Sequence, residues 1–593
     1  MTHSPSIQRV APVCALEGEK DEGTARLAIE VSITSQSIGV SPMRSAASAT
    51  TRVRGRRDDA ERRRQATVVP PDASGGAQYG RERWSRVTPA QVVHISAECW
   101  PFARTGGLGE AVAGLVATQR REGSEAWVVV PLYRTARAFL ANRGCELEAV
   151  GGPLTFALGN EAGVVVRLML VRGGAGRGRG HAKPPWSAIA RAAIFVECAA
   201  AFDRPGIYGE VGVDYADNAW RFAILCRAAL QVLRRLRRAA GHRPVVAHAH
   251  DWHAALLPYF LHAEGRRDND LRAIVRVLTV HNASFQGVFP AATLDALGQP
   301  GNVYDGRCAA WYGQVNLLKG ALAVADRVTT VSPTHAAELR SANGGFGLHA
   351  DFQALGERFV GICNGIDLAV WAPHPSALEE SSDYEAMRAR RCVAKMALQR
   401  RLGLAVAPAL PLVAICSRLC AQKGTDFLLE AQVAARADLQ LVVLGEGDDD
   451  CVKALRTLTL AHAARVALVT PFEDDAERSL LAGADMLLMP SRFEPCGLAQ
   501  LHAQRFGVVP IAHRVGGLAD TIIDGETGFV FAPYQTDVLH AALDRALAAY
   551  HDVPEWQRML RACARADVGW SFPAARYEEV YHGAAAAARE RAG

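Results

Sequence analysis

At 593 residues the chain is longer than one hydrophobic core usually supports, which implies at least two domains. Its 49% hydrophobic and 21% charged residues exclude a fibrous or wholly disordered protein, and a formal charge of +5 is too small for this length to argue for a polyanionic partner. The 13 cysteines are scattered without paired C-x-x-C sets, which points to a reducing compartment. No run of about eighteen apolar residues marks a membrane span.

Residues 1–86 carry little that reads as folded domain. Arg52, Arg54, Arg56, Arg57, Arg62, Arg63 and Arg64 crowd one segment, and a Pro- and Gly-rich run, 70–76, follows. Three readings stand. One is a solvated tail, or residues upstream of the true start. The second is an Arg- and Ser-rich transit peptide, against which Glu17, Glu19, Asp21 and Glu22 argue. The third is a nucleic-acid arm, which lacks interleaved aromatics.

Folded sequence starts near Gln91. Residues 92–96 read as a strand, followed by the loop Arg104-Thr105-Gly106-Gly107-Leu108-Gly109-Glu110 and a helix through Leu115. Glycines 106 and 107 in a strand-to-helix loop either let backbone amides approach a phosphate or simply make a turn. A second strand covers 126–132, and the Gly-rich run 173–180 reads as an exposed insertion. Tyr208, in Ile207-Tyr208-Gly209, is either a packed loop aromatic or a substrate contact.

The segment His248-Ala249-His250-Asp251-Trp252-His253 invites a metal reading. Its strand-like alternation, without an i, i+4 clasp, argues against zinc. Asp251 at a strand end, pointing into a cleft, is the better reading. Residues 275–280 form a strand ending in His281-Asn282, where the histidine serves a sugar hydroxyl or its own loop. A helix (316–325), a strand from Arg327 and the segment 359–367 with Asn364 close the first half. The acidic stretch 373–383 reads as a connector. From 410 onward, strands at 410–415, 439–444, 466–470, 486–489, 509–512 and 528–531 alternate with helical patterns, as in a parallel sheet with crossover helices. The last segment, Phe572 to about Arg591, is Ala-rich and helical.

The chain is organised around Pro490-Ser491-Arg492-Phe493-Glu494-Pro495-Cys496-Gly497-Leu498-Ala499-Gln500. A carboxylate here sits in a strand-to-helix turn, where open α/β sheets place ligands. The amides of Gly497, Leu498 and Ala499 form a helix N-terminus suited to an anion. A carboxylate beside a phosphate cradle suggests a phosphorylated sugar.

Six stretches in order, Arg104 to Leu108, His248 to His253, Thr279 to Asn282, Ser417-Arg418-Leu419 with Gln422-Lys423-Gly424, Arg492 to Gly497, and Gly516 to Asp520, resemble bacterial glycogen synthases and plant starch synthases from about residue 90 to 585. The resemblance implies a GT-B fold, two Rossmann-like parallel-sheet domains facing a cleft. The domains expected are an extension (1–86), a first domain (87–372), a linker (373–409), a second domain (410–560) and a C-terminal helix (561–593) folding back on the first. It implies retaining transfer of glucose from ADP-glucose to the non-reducing 4-OH of an α-1,4-glucan. Arg418 and Lys423 would flank the diphosphate, and Gly106 and Gly107 would complete its cradle. Glu494 with the backbone of Cys496 and Gly497 would hold glucose hydroxyls. His281 and Asn282 would meet the sugar from the other domain, Asp251 would lie near the reacting centre, Asn364 would line the cleft and Phe472 would stack on adenine.

The family mechanism is front-face departure and attack, so no nucleophilic carboxylate pair is expected. No metal and no cofactor is expected, nor a nucleic-acid or membrane partner, and the setting is cytoplasmic. Arg104 replaces the family's lysine, Glu110 its aspartate and Ala499 its threonine, which bears on donor affinity and on the nucleotide. The alternatives are a related enzyme using UDP-glucose or another donor, and a non-catalytic glucan-binding protein.

Overall fold

A computed structural model describes residues 90–159, 161–173, 186–210, 212–298, 309–371, 384–472 and 474–592. The N-terminal extension, most of the Gly-rich insertion and the acidic stretch 373–383 lie outside the described residues.

The first half is built on a ten-stranded sheet. Its parallel core runs, across the sheet, Phe359–Gly361, Arg327–Thr330, Val275–Val280, Val245–His250, Gln91–Ile95, Glu125–Pro131 and Ala193–Glu197. Three antiparallel strands, Glu161–Arg172, Glu146–Ala149 and Leu154–Leu158, extend one edge. The sequence reading did not place them, because alternating exposed and buried residues there dilute the apolar signal of a buried strand. Central strands are buried throughout, as parallel strands covered on both faces must be, and carry a few polar residues (His248, His250, Arg276, Thr279) among the apolar ones.

The second half is a six-stranded, wholly parallel sheet in the order Val466–Val469, Gln440–Leu444, Leu412–Cys416, Met486–Met489, Val509–His513, Phe529–Phe531. Numbered by sequence this is 3-2-1-4-5-6, the doubly wound order, whose direction reverses between the first and fourth strands. In the first half the reversal lies between Gln91–Ile95 and Val245–His250. Loops diverge at such a switch point and leave a crevice. Both halves thus place their ligand-competent loops by topology alone.

The final helix, Ser571–Ala592, packs on the first half. Tyr577, Tyr581 and the small Ala584, Ala585 and Ala588 form one cluster with Val92, Val246, Val275 and Val277 of the first sheet. Alanine favours the helix and lets it approach the sheet closely. Upstream, the helix Tyr384–Arg401 packs against the second-half helix Asp474–Gly483, anchored by a buried Lys395–Asp485 ion pair at 2.5 Å. Among the described residues no helix is long and apolar enough to cross a membrane.

Candidate active site

The strand Gln91–Ile95 delivers the chain into a loop that reaches the helix Gly107–Arg121. Glu98, in that loop, is buried and accepts three hydrogen bonds: from the Thr105 amide (2.8 Å), the Thr105 hydroxyl (2.7 Å) and the Tyr208 hydroxyl (2.6 Å). Burial, and then the Glu98 charge, hold the Tyr208 phenol well above its usual range, so it stays a donor. Its ring stacks on His253 at 4.7 Å. Glu98 shapes the Gly106-Gly107 loop from beneath.

At the switch point Asp251 adopts φ 56°, ψ −174°, a conformation that non-glycine residues rarely hold. Its Oδ1 accepts from the His281 amide at 2.6 Å and from the Asn282 amide at 3.4 Å. Burial pushes its carboxyl up to about 7 against those two bonds. Asp251 therefore braces the very turn that carries His281 and Asn282. Asn282 spends its side-chain oxygen on Ser284, and His281 binds His250 through Nε2 at 2.9 Å. Asn364 is buried, with its Oδ1 left without a hydrogen-bond partner, and lines the same space.

The second half supplies the charges. Lys423 Nζ contacts Glu494 Oε2 at 2.5 Å, and the Ser491 hydroxyl donates to that oxygen at 3.0 Å. Arg418 is exposed and donates to Gln422 at 3.0 Å. The turn around Glu494 is held by the Gly516-Gly517 pair: the Gly517 amide donates to the Glu494 and Pro495 carbonyls at 3.1 and 3.2 Å. Gly516 has φ 42°, and a Cβ there would collide with the Glu494 carbonyl. The Gly516 amide donates in turn to Glu338 of the first half at 2.9 Å.

Arg104 lies between the halves. Its guanidinium is 3.6 Å from Glu110 and 3.9 Å from Glu477, and 5.7 Å from the centre of the Phe472 ring. His502 bridges the same two acids, at 2.8 Å to Glu110 and 3.1 Å to Glu477, with Trp371 stacked on it at 3.5 Å and donating to Glu110 at 2.6 Å. Burial opposes charge on both partners, but their mutual attraction prevails: it lifts His502 to about 9 and, with Arg104, draws Glu110 down to about 2.

One cavity of about 1160 Å³ gathers these groups. Its lining includes every candidate from the sequence: Arg104, Gly106, Gly107, Tyr208, Asp251, His281, Asn282, Asn364, Arg418, Lys423, Phe472, Glu494, Cys496, Gly497 and Leu498. The structure brings them together. Sequence reasoning missed Glu98, Glu477, Ser491 and His502. Glu477 follows acidic Asp475, so the segment reads as a solvated charge run, and Glu98 sits alone among apolar residues.

Two Rossmann-like halves whose switch-point loops close on one charged cavity define a GT-B glycosyltransferase. Residues 91–354 match the starch synthase catalytic domain and residues 405–563 the glycosyl transferases group 1 family. The chain is 36% identical over 507 residues to glycogen synthase 2 of Geobacter sulfurreducens (84% of this chain, 99% of that one) and 37% identical over 504 residues to glycogen synthase of Acidiphilium cryptum (83% and 98%). The catalytic domain of starch synthase IV from Arabidopsis thaliana, solved bound to ADP and acarbose, superposes with a TM-score of 0.72 at 27% identity, covering 84% of this chain and 100% of that one. The chain belongs to the glycogen and starch synthase family of glucosyltransferases.

Proposed function

We propose that this protein transfers glucose from ADP-glucose to the non-reducing 4-OH of an α-1,4-glucan such as glycogen, with retention. The observation that carries this reading is the shared cavity, lined by Arg418, Lys423 and Glu494 of one half and by His281, Asp251 and Asn364 of the other. Two fixed cations there suit a departing nucleoside diphosphate, where negative charge develops. Glu494, 5% exposed and held by Lys423 and Ser491, is oriented to accept from sugar hydroxyls. The orphaned Asn364 oxygen offers a further acceptor.

With Arg418 and Lys423 supplying positive charge, we expect no metal requirement. Retention then follows from attack on the face the diphosphate leaves, with its phosphate taking the acceptor proton. We place the activity in the cytoplasm, in keeping with the free thiols of the described cysteines. The test is radiolabelled glucose incorporation into glycogen, in EDTA, from ADP-glucose and UDP-glucose in parallel. Incorporation from ADP-glucose alone supports the reading. Incorporation from UDP-glucose alone favours a second one, for which Arg104 in place of lysine, turned toward Glu110 and Glu477, is the motivating observation.

A further inference from the structure

Behind the cavity wall lies a row of buried imidazoles. His94 and His248 are register partners on neighbouring parallel strands, and His250 follows two residues on. Their ring nitrogens lie within 4.8 Å of one another, a spacing that a metal ion would also accept. Each of these rings, however, is already bonded at both nitrogens. His281 Nε2 meets His250 Nδ1 at 2.9 Å, His250 Nε2 meets His94 Nδ1 at 3.0 Å, and His94 Nε2 meets the Gln119 carboxamide oxygen at 2.8 Å. Gln119 donates its amide to the Tyr581 hydroxyl at 3.2 Å, and that hydroxyl meets His248 Nδ1 at 2.9 Å. His248 Nε2 ends on Thr279 at 2.6 Å.

Burial keeps these rings neutral, bringing His94 to about 4, His281 to about 3 and the other two well below their usual value. A neutral imidazole carries one proton, so it donates at one nitrogen and accepts at the other. From Gln119 through His94 and His250 to His281 the row is then all-or-none: fixing one end fixes all three tautomers, whereas His248 meets hydroxyls that can donate or accept. Gln119 presents its oxygen to His94, which must donate from Nε2 and accept at Nδ1. His250 must therefore donate from Nε2, and His281 likewise.

We propose that Gln119, His94 and His250 are positioning residues that hold His281 as its Nε2–H tautomer, so that its Nδ1 offers the cavity a hydrogen-bond acceptor and favours a donor sugar bearing a hydroxyl there. This rests on the glucosyl-transfer reading only for the identity of the ligand. A fluorine in place of that hydroxyl cannot donate and gains nothing from the arrangement.

Two measurements on the full chain test it. The first is two-bond ¹⁵N–¹H correlation of the ¹⁵N-histidine-labelled, ligand-free protein, with His281→Gln identifying the His281 signals. Protonated Nε2 with bare Nδ1 is expected; a protonated Nδ1 on His281 overturns the proposal, whatever the substrate. The second compares wild type with Gln119→Leu, over donors in which each glucose hydroxyl in turn is replaced by fluorine. For the unmodified donor, Gln119→Leu should lower kcat about ten-fold with KM within about two-fold, and that loss should vanish for one fluorinated donor. An equal loss for every donor, or no loss, means the row is structural only and overturns the proposal. If wild type turns over no donor, the functional reading fails, while the tautomer measurement still decides the row; it also decides should Gln119→Leu not fold.

Discussion

Replacing His502 by glutamine removes the imidazolium that lies between Glu110 of the first half and Glu477 of the second. At neutral pH the two carboxylates, His502 and Arg104 sum to zero charge; His502→Gln leaves −1 in a buried site. Raising His502 from 6.5 to about 9 corresponds to about 3 kcal/mol of stabilisation of the assembled halves. That agrees with the roughly 3–5 kcal/mol lost when one member of a buried pair is removed. The sign follows from the folded value lying above the unfolded one. The contribution is complete below pH 6.5 and fades as pH rises through about 9. Glu110, drawn down to about 2, adds stability above pH 4.5 that is lost toward pH 2. Besides the two acids, the groups facing the site include Arg104, Arg478, which is 5.0 Å from the Trp371 ring, and the Cys416 thiol, which burial and then Glu477 hold well above its usual value. Calorimetric melting from pH 5.5 to 9.5 should therefore show wild type losing on the order of 5 °C more than His502→Gln over that range. Parallel profiles for the two proteins would refute a buried imidazolium.

Other expectations are as direct. Lys423→Met should lower kcat about a hundred- to thousand-fold with a smaller change in KM, measured as glucose incorporation at saturating glucan; an equal rise in KM alone would make Lys423 a binding residue only. Asp251→Asn keeps an acceptor for the His281 and Asn282 amides and should melt close to wild type, whereas Asp251→Leu should lose about 1–3 kcal/mol of stability, read by denaturant titration. Gly516→Ala should displace the Glu494 carbonyl and reduce activity more than stability, because the collision falls on the catalytic turn; unchanged turnover would show that the turn adapts. Arg104→Lys, assayed with both nucleotide sugars, should change the ADP- to UDP-glucose ratio if Arg104 reads the donor; an unchanged ratio confines it to its carboxylates.

Much of the fold was legible because parallel strands buried on both faces announce themselves as short, mostly apolar runs: Met486–Met489 stands where the sequence places it, as does Val275–Val280 despite Arg276 and Thr279. The order of the strands was not, since nothing local states that Leu412–Cys416 neighbours Met486–Met489. The loop motifs taken singly left alternatives open, a plain turn for Gly106-Gly107 and a loop contact for His281, and it was the resemblance of six stretches in order that assigned them. Their supports were not legible. Gln119 is one polar residue inside an otherwise ordinary helix, and its partners His94 and Tyr581 lie 25 and 462 residues away. His94 reads as a strand residue until the register sets it beside His248.

The return of the Ser571–Ala592 helix to the first sheet bears on how the chain is made. Domains generally fold as they leave the ribosome, the N-terminal one first. Here the groove of Val92, Val246, Val275 and Val277 waits uncovered until a segment made after the whole second sheet arrives, so the half synthesised first is finished only after the second. Until then the nascent protein carries an open apolar strip, a natural address for a chaperone, and a ribosome that stops short of Tyr577 releases a first half whose strip stays uncovered.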